Sequence, residues 1–485
     1  MSSDTLSNGH QTSPPTSDRE TESAESSKAT VKKKKSSKKG YRHHITPIHT
    51  TVAPSVLSKD APPASYRGFM NLAMLILAAS NVRLIIENYL KYGFLMSRPG
   101  TFVPPSDYIL FSTTFIALPF NVIFAYLIEK MAIKPFLAEL KRAKAQDQQP
   151  TLTPKILSIN RRAGILHVIN ITITILYPTL MSYYAIFHPF LATVVLFVAV
   201  MLFLKLVSYS LVNRDLRLNQ VSSQDKNLEG FYTVAYPNNI TLGDIVYFWF
   251  APTLCYQPSY PRAPQKFRLG FFLKRAGELL IACTMMYFLI EQYANPTLKN
   301  SVRAMDELAL VNIVERLLKL STTSLLIWLL MFYAFFHCYM NVLSEALEFG
   351  DRTFYLDWWN SGSLETYWRL WNRPVYHWFK RHVYLPLVGQ GVPPIVATLT
   401  VFTISAALHE LMVGVPTHAI MGYAFGGMMA QIPLITLSKP LEKWRGKGST
   451  LGNVLFWVSF CLVGQPACVL LYYYQWVITH RVEPV

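Results

Sequence analysis

VATLTVFTISAALHELMVGV, residues 396–415, is an apolar run whose only ionisable side chains are His409 and Glu410. A run of that length crosses the hydrocarbon core of a bilayer as a helix. Burying an imidazole and a carboxylate among aliphatic side chains costs free energy that something must offset. A histidine at membrane depth is therefore a candidate base for chemistry on a lipid. The competing reading, a hydrogen-bonded core histidine, is not separable from it by position alone. Glu410 follows His409 directly, so on a helix it points about 100° away. The expectation is a carboxyl group that is protonated or paired with another span, not one touching the same imidazole. Ser405, one turn earlier, shares the face of His409.

Working outward, the 485-residue chain is 51% hydrophobic and 15% charged, with a mean hydropathy of +0.24. Ordinary soluble proteins carry roughly a quarter charged residues, so this composition indicates an integral membrane protein. The net charge of +17 does not indicate nucleic acid. It concentrates in VKKKKSSKKGYRHH, residues 31–44, and in short loops between apolar runs, where basic residues set topology and attract anionic headgroups. The five cysteines (Cys255, Cys283, Cys338, Cys461 and Cys468) show neither paired nor metal-ligand spacing, and no metal is expected.

Residues 1–65 are rich in Ser, Pro, Glu and Lys and are expected to form a disordered basic arm. Residues 66–485 are expected to form one membrane-embedded, all-α domain. About nine spans are predicted, at 69–90, 108–128, 165–187, 190–212, 271–290, 321–342, 395–415, 419–437 and 451–478. The basic arm, the 129–164 loop and the 438–450 loop then share one side, which the positive-inside rule makes cytosolic, leaving the C-terminus lumenal. Two longer segments, 213–270 and 345–394, are dense in aromatic and basic residues and are expected to lie at the interface.

The second of these segments offers guanidinium groups (Arg352, Arg369, Arg373 and Arg381), aromatic planes (Trp358, Trp359, Trp368, Trp371 and Trp378) and carboxamides (Asn360 and Asn372). That mixture suits a phosphorylated adenine nucleotide, but also an aromatic belt with snorkelling arginines. Here specific motifs appear. FYLDWWN at 354–360 matches the FYxDWWN signature of the sterol and diacylglycerol branch of the membrane-bound O-acyltransferases. APTLCYQPSYPR (251–262), GDR (350–352), YWRLWNRPVYHW (367–378), SAALHE (405–410), MMAQIPL (428–434) and GQP (464–466) continue the match. Over residues 64–480 the chain resembles the acyl-CoA:diacylglycerol acyltransferases of that family.

The resemblance implies catalytic roles for His409 and Asn372. It assigns Phe354, Tyr355, Asp357, Trp358, Trp359 and Asn360 to an acyl-CoA-binding region, and places Trp371, Tyr384 and Ser405 along the acyl-CoA path. Met428, Gln431 and Gln465, with Glu410 nearby, fall at the reaction chamber. It further implies acyl-CoA and diacylglycerol as substrates, no cofactor, an endoplasmic reticulum membrane location, and a homodimer or homotetramer assembled partly through residues 65–71. The sequence departs from the family pattern at Glu348 (commonly Arg), Tyr376 (often His) and Pro394 (often basic), which bears on how the nucleotide is held.

Chemically, an alcohol attacks a thioester well only when a base takes its proton. A buried His409 is expected to stay neutral and accept it. The rival readings are a sterol O-acyltransferase with the same machinery and a non-enzymatic lipid transporter or scramblase. HELMV lacks the second histidine of a zinc-peptidase motif, and no G-x-S-x-G elbow is present.

Overall fold

The computed structural model describes residues 67–96, 103–145, 153–222, 233–445 and 451–480, and within these every regular element is helical. The expectation for residues 1–65 lies outside the described residues. The chain divides into two units, Met1–Ser80 and Asn81–Val485. The described part of the first is the beginning of α1 (Arg67–Tyr92). Everything below concerns the second.

Seven described helices are long and apolar enough to cross a membrane. α2 (Pro105–Ala145), α3 (Pro154–Tyr184) and α4 (Pro189–Ser222) pack side by side. They overrun the predicted spans because their ends are held by polar contacts that hydropathy does not register. Thr153 caps α3, its hydroxyl accepting from the Ile156 N–H at 3.3 Å, with Pro154 at the first helical position. Between the three helices, buried Arg217 pairs with Glu129 and donates Nε to Asn160 at 2.9 Å, while His167 meets Glu129 at 2.9 Å. Lys205, inside the most apolar of these helices, is likewise buried. Its ammonium donates to the carbonyls of Phe248, Trp249 and Ala251 at 2.7–2.8 Å, capping the C-terminus of α5 (Leu242–Phe250).

Two predicted spans are not among the seven, and each shows why. Residues 271–290 are helical as α6 (Leu269–Leu289), but Lys274, Arg275 and Glu278 occupy its first half. Arg268 at its start binds Glu345. Just past its end, Gln292 exchanges hydrogen bonds with Asn88, Gly93 and Leu95. The chain therefore runs away from Glu345 here and continues through α7 (Asn295–Asp306). It returns to Glu345 through α8 (Leu310–Phe332), a widened π turn (Tyr333–Tyr339) and α9 (Met340–Ala346).

Residues 419–437 are not one helix. Gly422 adopts φ +77°, and the segment splits into α14 (Tyr423–Met429) and α15 (Gln431–Arg445). It nevertheless carries the chain back along the closing span, Gly452–His480. His418 touches His480 at one end, and Leu434 and Ile435 pack beside Phe456 at the other. Both segments thus lie along neighbouring helices while lacking the length or apolarity that defines the other seven.

The described residues of the two aromatic, basic segments contribute to the core, among them Ile245, Phe248 and Tyr256 of the first and Phe354, Trp358 and Tyr367 of the second. Residues 345–394 fold into short helices α10 (Leu364–Leu370), α11 (Arg373–Phe379) and α12 (Leu385–Gly389), the last two joined by a π turn (Lys380–Tyr384). The GDR and SYPR motifs meet directly: the Gly350 N–H donates to the Pro261 carbonyl at 2.8 Å, and Ala263 N to Glu348 O at 2.9 Å. A Cβ at position 350 would sit 2.9 Å from the Pro261 oxygen, so only glycine allows this approach.

Candidate active site

α13 (Pro394–Gly414) carries His409 and Glu410, and the structure gives them opposite surroundings. His409 lies deep in the protein with its ring open to a cavity of about 1200 Å³, which it helps to line. An apolar run cannot reveal that the helix faces a void on one side. Its Nδ1 lies 2.7 Å from the Ser405 carbonyl. A carbonyl only accepts, so Nδ1 carries the proton and Nε2 keeps a lone pair. It is the backbone of Ser405, rather than its hydroxyl, that sets this tautomer.

Glu410 is only 8% exposed. Oε1 accepts from the Gly422 N–H at 2.8 Å; Oε2 accepts from Phe425 N–H at 3.1 Å and from the Tyr472 hydroxyl at 2.7 Å. Tyr472 belongs to the final helix, α16 (Gln465–His480), so Glu410 ties α13, α14 and α16 together. Gly414 makes room for it, since a Cβ there would lie 2.7 Å from Glu410 Oε1.

The cavity wall is largely apolar and runs along α16 from Gln465 to Trp476, about 16 Å at 1.5 Å per residue. Met428, Gln431 and Gln465 all line it beside His409. Gln465 donates to the Ser324 carbonyl at 3.4 Å, and Gln431 to Gly427 O at 3.4 Å. Immediately before Gln465 the chain makes a π turn (Trp457–Gly464), from which Ser459, Phe460 and Gly464 also line the cavity. Such widened turns recur at functional sites.

Residues 179–474 match the membrane-bound O-acyltransferase family. The chain belongs to the membrane-bound O-acyltransferases. It is 39% identical over 442 residues to diacylglycerol O-acyltransferase 1A of Glycine max, an alignment covering 90% of this chain and 83% of that protein. Diacylglycerol O-acyltransferase 1 of Corylus americana is 39% identical over 443 residues, covering 90% and 77% respectively. Diacylglycerol O-acyltransferase 1 of Arabidopsis thaliana is 38% identical over 438 residues, covering 90% and 78%.

In this acyltransferase Asn372 is not joined to His409 by any hydrogen bond. Its Oδ1 caps α11, accepting from the Val375 N–H at 3.2 Å. The FYLDWWN residues divide. Phe354 and Trp358 are buried in an aromatic cluster with Trp328, Phe332 and Tyr367, which Trp371 joins by stacking on Trp328. The Tyr355 hydroxyl meets His337 Nδ1 at 2.7 Å. Asp357, Trp359 and Asn360 are exposed. Tyr384 is half-buried at the end of its π turn and lines neither cavity described here.

A second, smaller cavity of about 400 Å³ lies among Arg373, His377, Lys380 and Arg381, with Phe354, Cys255 and Asp351 on its wall. Arg381 donates to the Tyr256 carbonyl at 3.1 Å, and Arg373 approaches His377 Nε2 at 3.2 Å. Burial, then the nearby Arg373, holds the His377 imidazole below its usual pKa, so it stays neutral among cations. Burial pushes the Cys255 thiol up to about 11, keeping it protonated. Sequence reasoning named Trp368 only as an aromatic plane for a nucleotide, whereas it lines the large cavity, and it missed Tyr472 behind Glu410. Tyr472 opens a YYY run that reads only as an aromatic stripe.

Proposed function

We propose that this enzyme transfers a fatty acyl group from acyl-CoA to the free hydroxyl of diacylglycerol, making triacylglycerol, with His409 as general base. The observation that carries this is the unpartnered Nε2 of His409 on the wall of a large apolar cavity. The relatives named above, all diacylglycerol O-acyltransferases, supply the acceptor. As the alcohol oxygen attacks the thioester carbonyl, Nε2 takes the hydroxyl proton, and the tetrahedral intermediate forms. Its collapse breaks the C–S bond, and the imidazolium returns the proton to the departing CoA sulfur.

The smaller cationic cavity suits the phosphates of CoA, whose charge Arg373, Lys380 and Arg381 complement. Asn372, by capping α11 with its Oδ1, holds Arg373 and His377 in place, and its amide nitrogen is left to polarise the thioester carbonyl. On this reading acyl-CoA is a substrate and no cofactor is required. The setting is the endoplasmic reticulum membrane, with the basic N-terminal arm cytosolic, the C-terminus lumenal, and a homodimer or homotetramer as the assembled form.

Purified protein given labelled acyl-CoA with diacylglycerol and sterol in one mixture is expected to form triacylglycerol alone. Sterol ester as the main product would overturn the acceptor assignment, and no ester at all would overturn the enzymatic reading.

A further inference from the structure

The three consecutive tyrosines of α16 have three different fates. Tyr472 and Tyr473 both line the large cavity. Tyr474 reaches outward to Asp306 at 2.8 Å. Tyr472 is 3% exposed, and both hydrogen-bonding functions of its hydroxyl are used. It donates to Glu410 Oε2 at 2.7 Å and accepts from the Ala424 N–H at 3.0 Å. With the Gly422 and Phe425 N–H groups on the same carboxylate, this forms a closed polar clamp in apolar surroundings.

The clamp has a geometric consequence. α14 follows a sharp turn at Gly422 and supplies Met428, which faces the same cavity as His409. Glu410 and Tyr472 together fix where α14 sits against α13 and α16. Gly414 sets the closeness, because its missing Cβ leaves space for the carboxylate and for the Ala419 carbonyl, 3.1 Å from the Cβ position. Among the described residues no cap side chain holds the start of α14, because its N-terminal cap residue is Gly422.

We propose that Tyr472 is a positioning residue for the acyl transfer. Its hydroxyl locks the Glu410 carboxylate, and the pair holds the α14 wall of the chamber at the distance from His409 that the reaction needs. The inference rests on His409 being the base, but its own content is the Tyr472–Glu410 bond. The Tyr472 hydroxyl is spent on Glu410 and Ala424, so its assigned role is to position and not to react. Small displacements of a substrate-positioning wall are costly in rate, up to ~10²-fold for about 1 Å. The loss should therefore appear in kcat, while the acyl-CoA KM, set largely by the cationic cavity, stays put.

The test uses full-length protein in one detergent, with turnover counted per folded molecule from the melting transition. Tyr472→Phe keeps the ring and removes only the hydroxyl. It is expected to lower kcat by about tenfold with the acyl-CoA KM within about twofold, whereas Tyr474→Phe changes neither. Added to Glu410→Gln, Tyr472→Phe should cost little more, because the bond it removes is already disrupted. Unchanged kcat in Tyr472→Phe, a loss accounted for entirely by unfolded protein, or two losses that multiply would each overturn the proposal. His409→Ala is assayed alongside: activity there removes the base assignment, and leaves the Tyr472 result to be read on its own.

Discussion

His409 and Glu410 are neighbours in the chain and the only ionisable pair in their apolar run, yet the structure treats them oppositely. His409 has one partner, a backbone carbonyl, and otherwise opens onto a void. Glu410 has three donors and almost no exposure. One helix thus presents a chemical face and a structural face about 100° apart. The lesson is that the cost of an ionisable group at membrane depth can be offset in two ways, by facing a ligand cavity or by saturating hydrogen bonds. Counting partners tells which applies.

That comparison can be broken most sharply at its open side. His409→Ala should lower triacylglycerol formation by about 10³–10⁴-fold, near the upper range for losing a general base, without lowering the melting temperature. A labelled-product assay beside a melting curve checks both. Lys205 is a saturated group on another helix, and it should behave as a structural residue. Lys205→Met leaves the α5 carbonyls unpaired and should destabilise by about 3–5 kcal/mol, seen as a large fall in melting temperature. A variant that melts normally would show that saturation does not mark structural charges.

Gly350 extends the argument from charge to shape. Gly350→Ala forces the GDR turn away from Pro261 and should cost about 1–3 kcal/mol by overpacking, read from the same melting assay. His382 is the intermediate case, a half-buried imidazole with a single side-chain hydrogen-bond partner, Ser208 Oγ at 2.8 Å. Burial, then Arg381, pushes its pKa down to about 4. The unfolded ring takes a proton near pH 6.5 and the folded one does not, so stability falls as pH drops from about 6.5 towards 4. His382→Gln should flatten that part of the stability–pH curve, the smallest of these effects; an unaltered slope would remove His382 as its source.

The fold class was legible because apolar runs are local in the chain, and His409 stood out as the candidate base because it interrupts one of them. The apolar run at 396–415 and the ordered motifs needed no knowledge of packing. What remained illegible depends on neighbours distant in the chain. FYLDWWN reads as aromatic planes suited to a nucleotide, but Phe354 and Trp358 turn their rings into a core with Trp328 and Phe332, and stacking on a ligand looks the same in sequence as stacking in a core. α6 was legible as a helix, while its charges, paired as Arg275 with Glu278, lower its hydropathy. Lys205 gave no signal at all, since its partners are backbone carbonyls some forty residues on. Tyr472 was hidden for the same reason.

The central claim is the division of labour between the two adjacent residues, and one paired measurement tests it. Turnover and melting temperature are recorded for His409→Ala and Glu410→Ala in the same detergent. The account predicts that His409→Ala loses turnover and keeps its melting temperature, while Glu410→Ala loses both. An active His409→Ala protein, or a Glu410→Ala protein that melts like the unmodified enzyme, would contradict it.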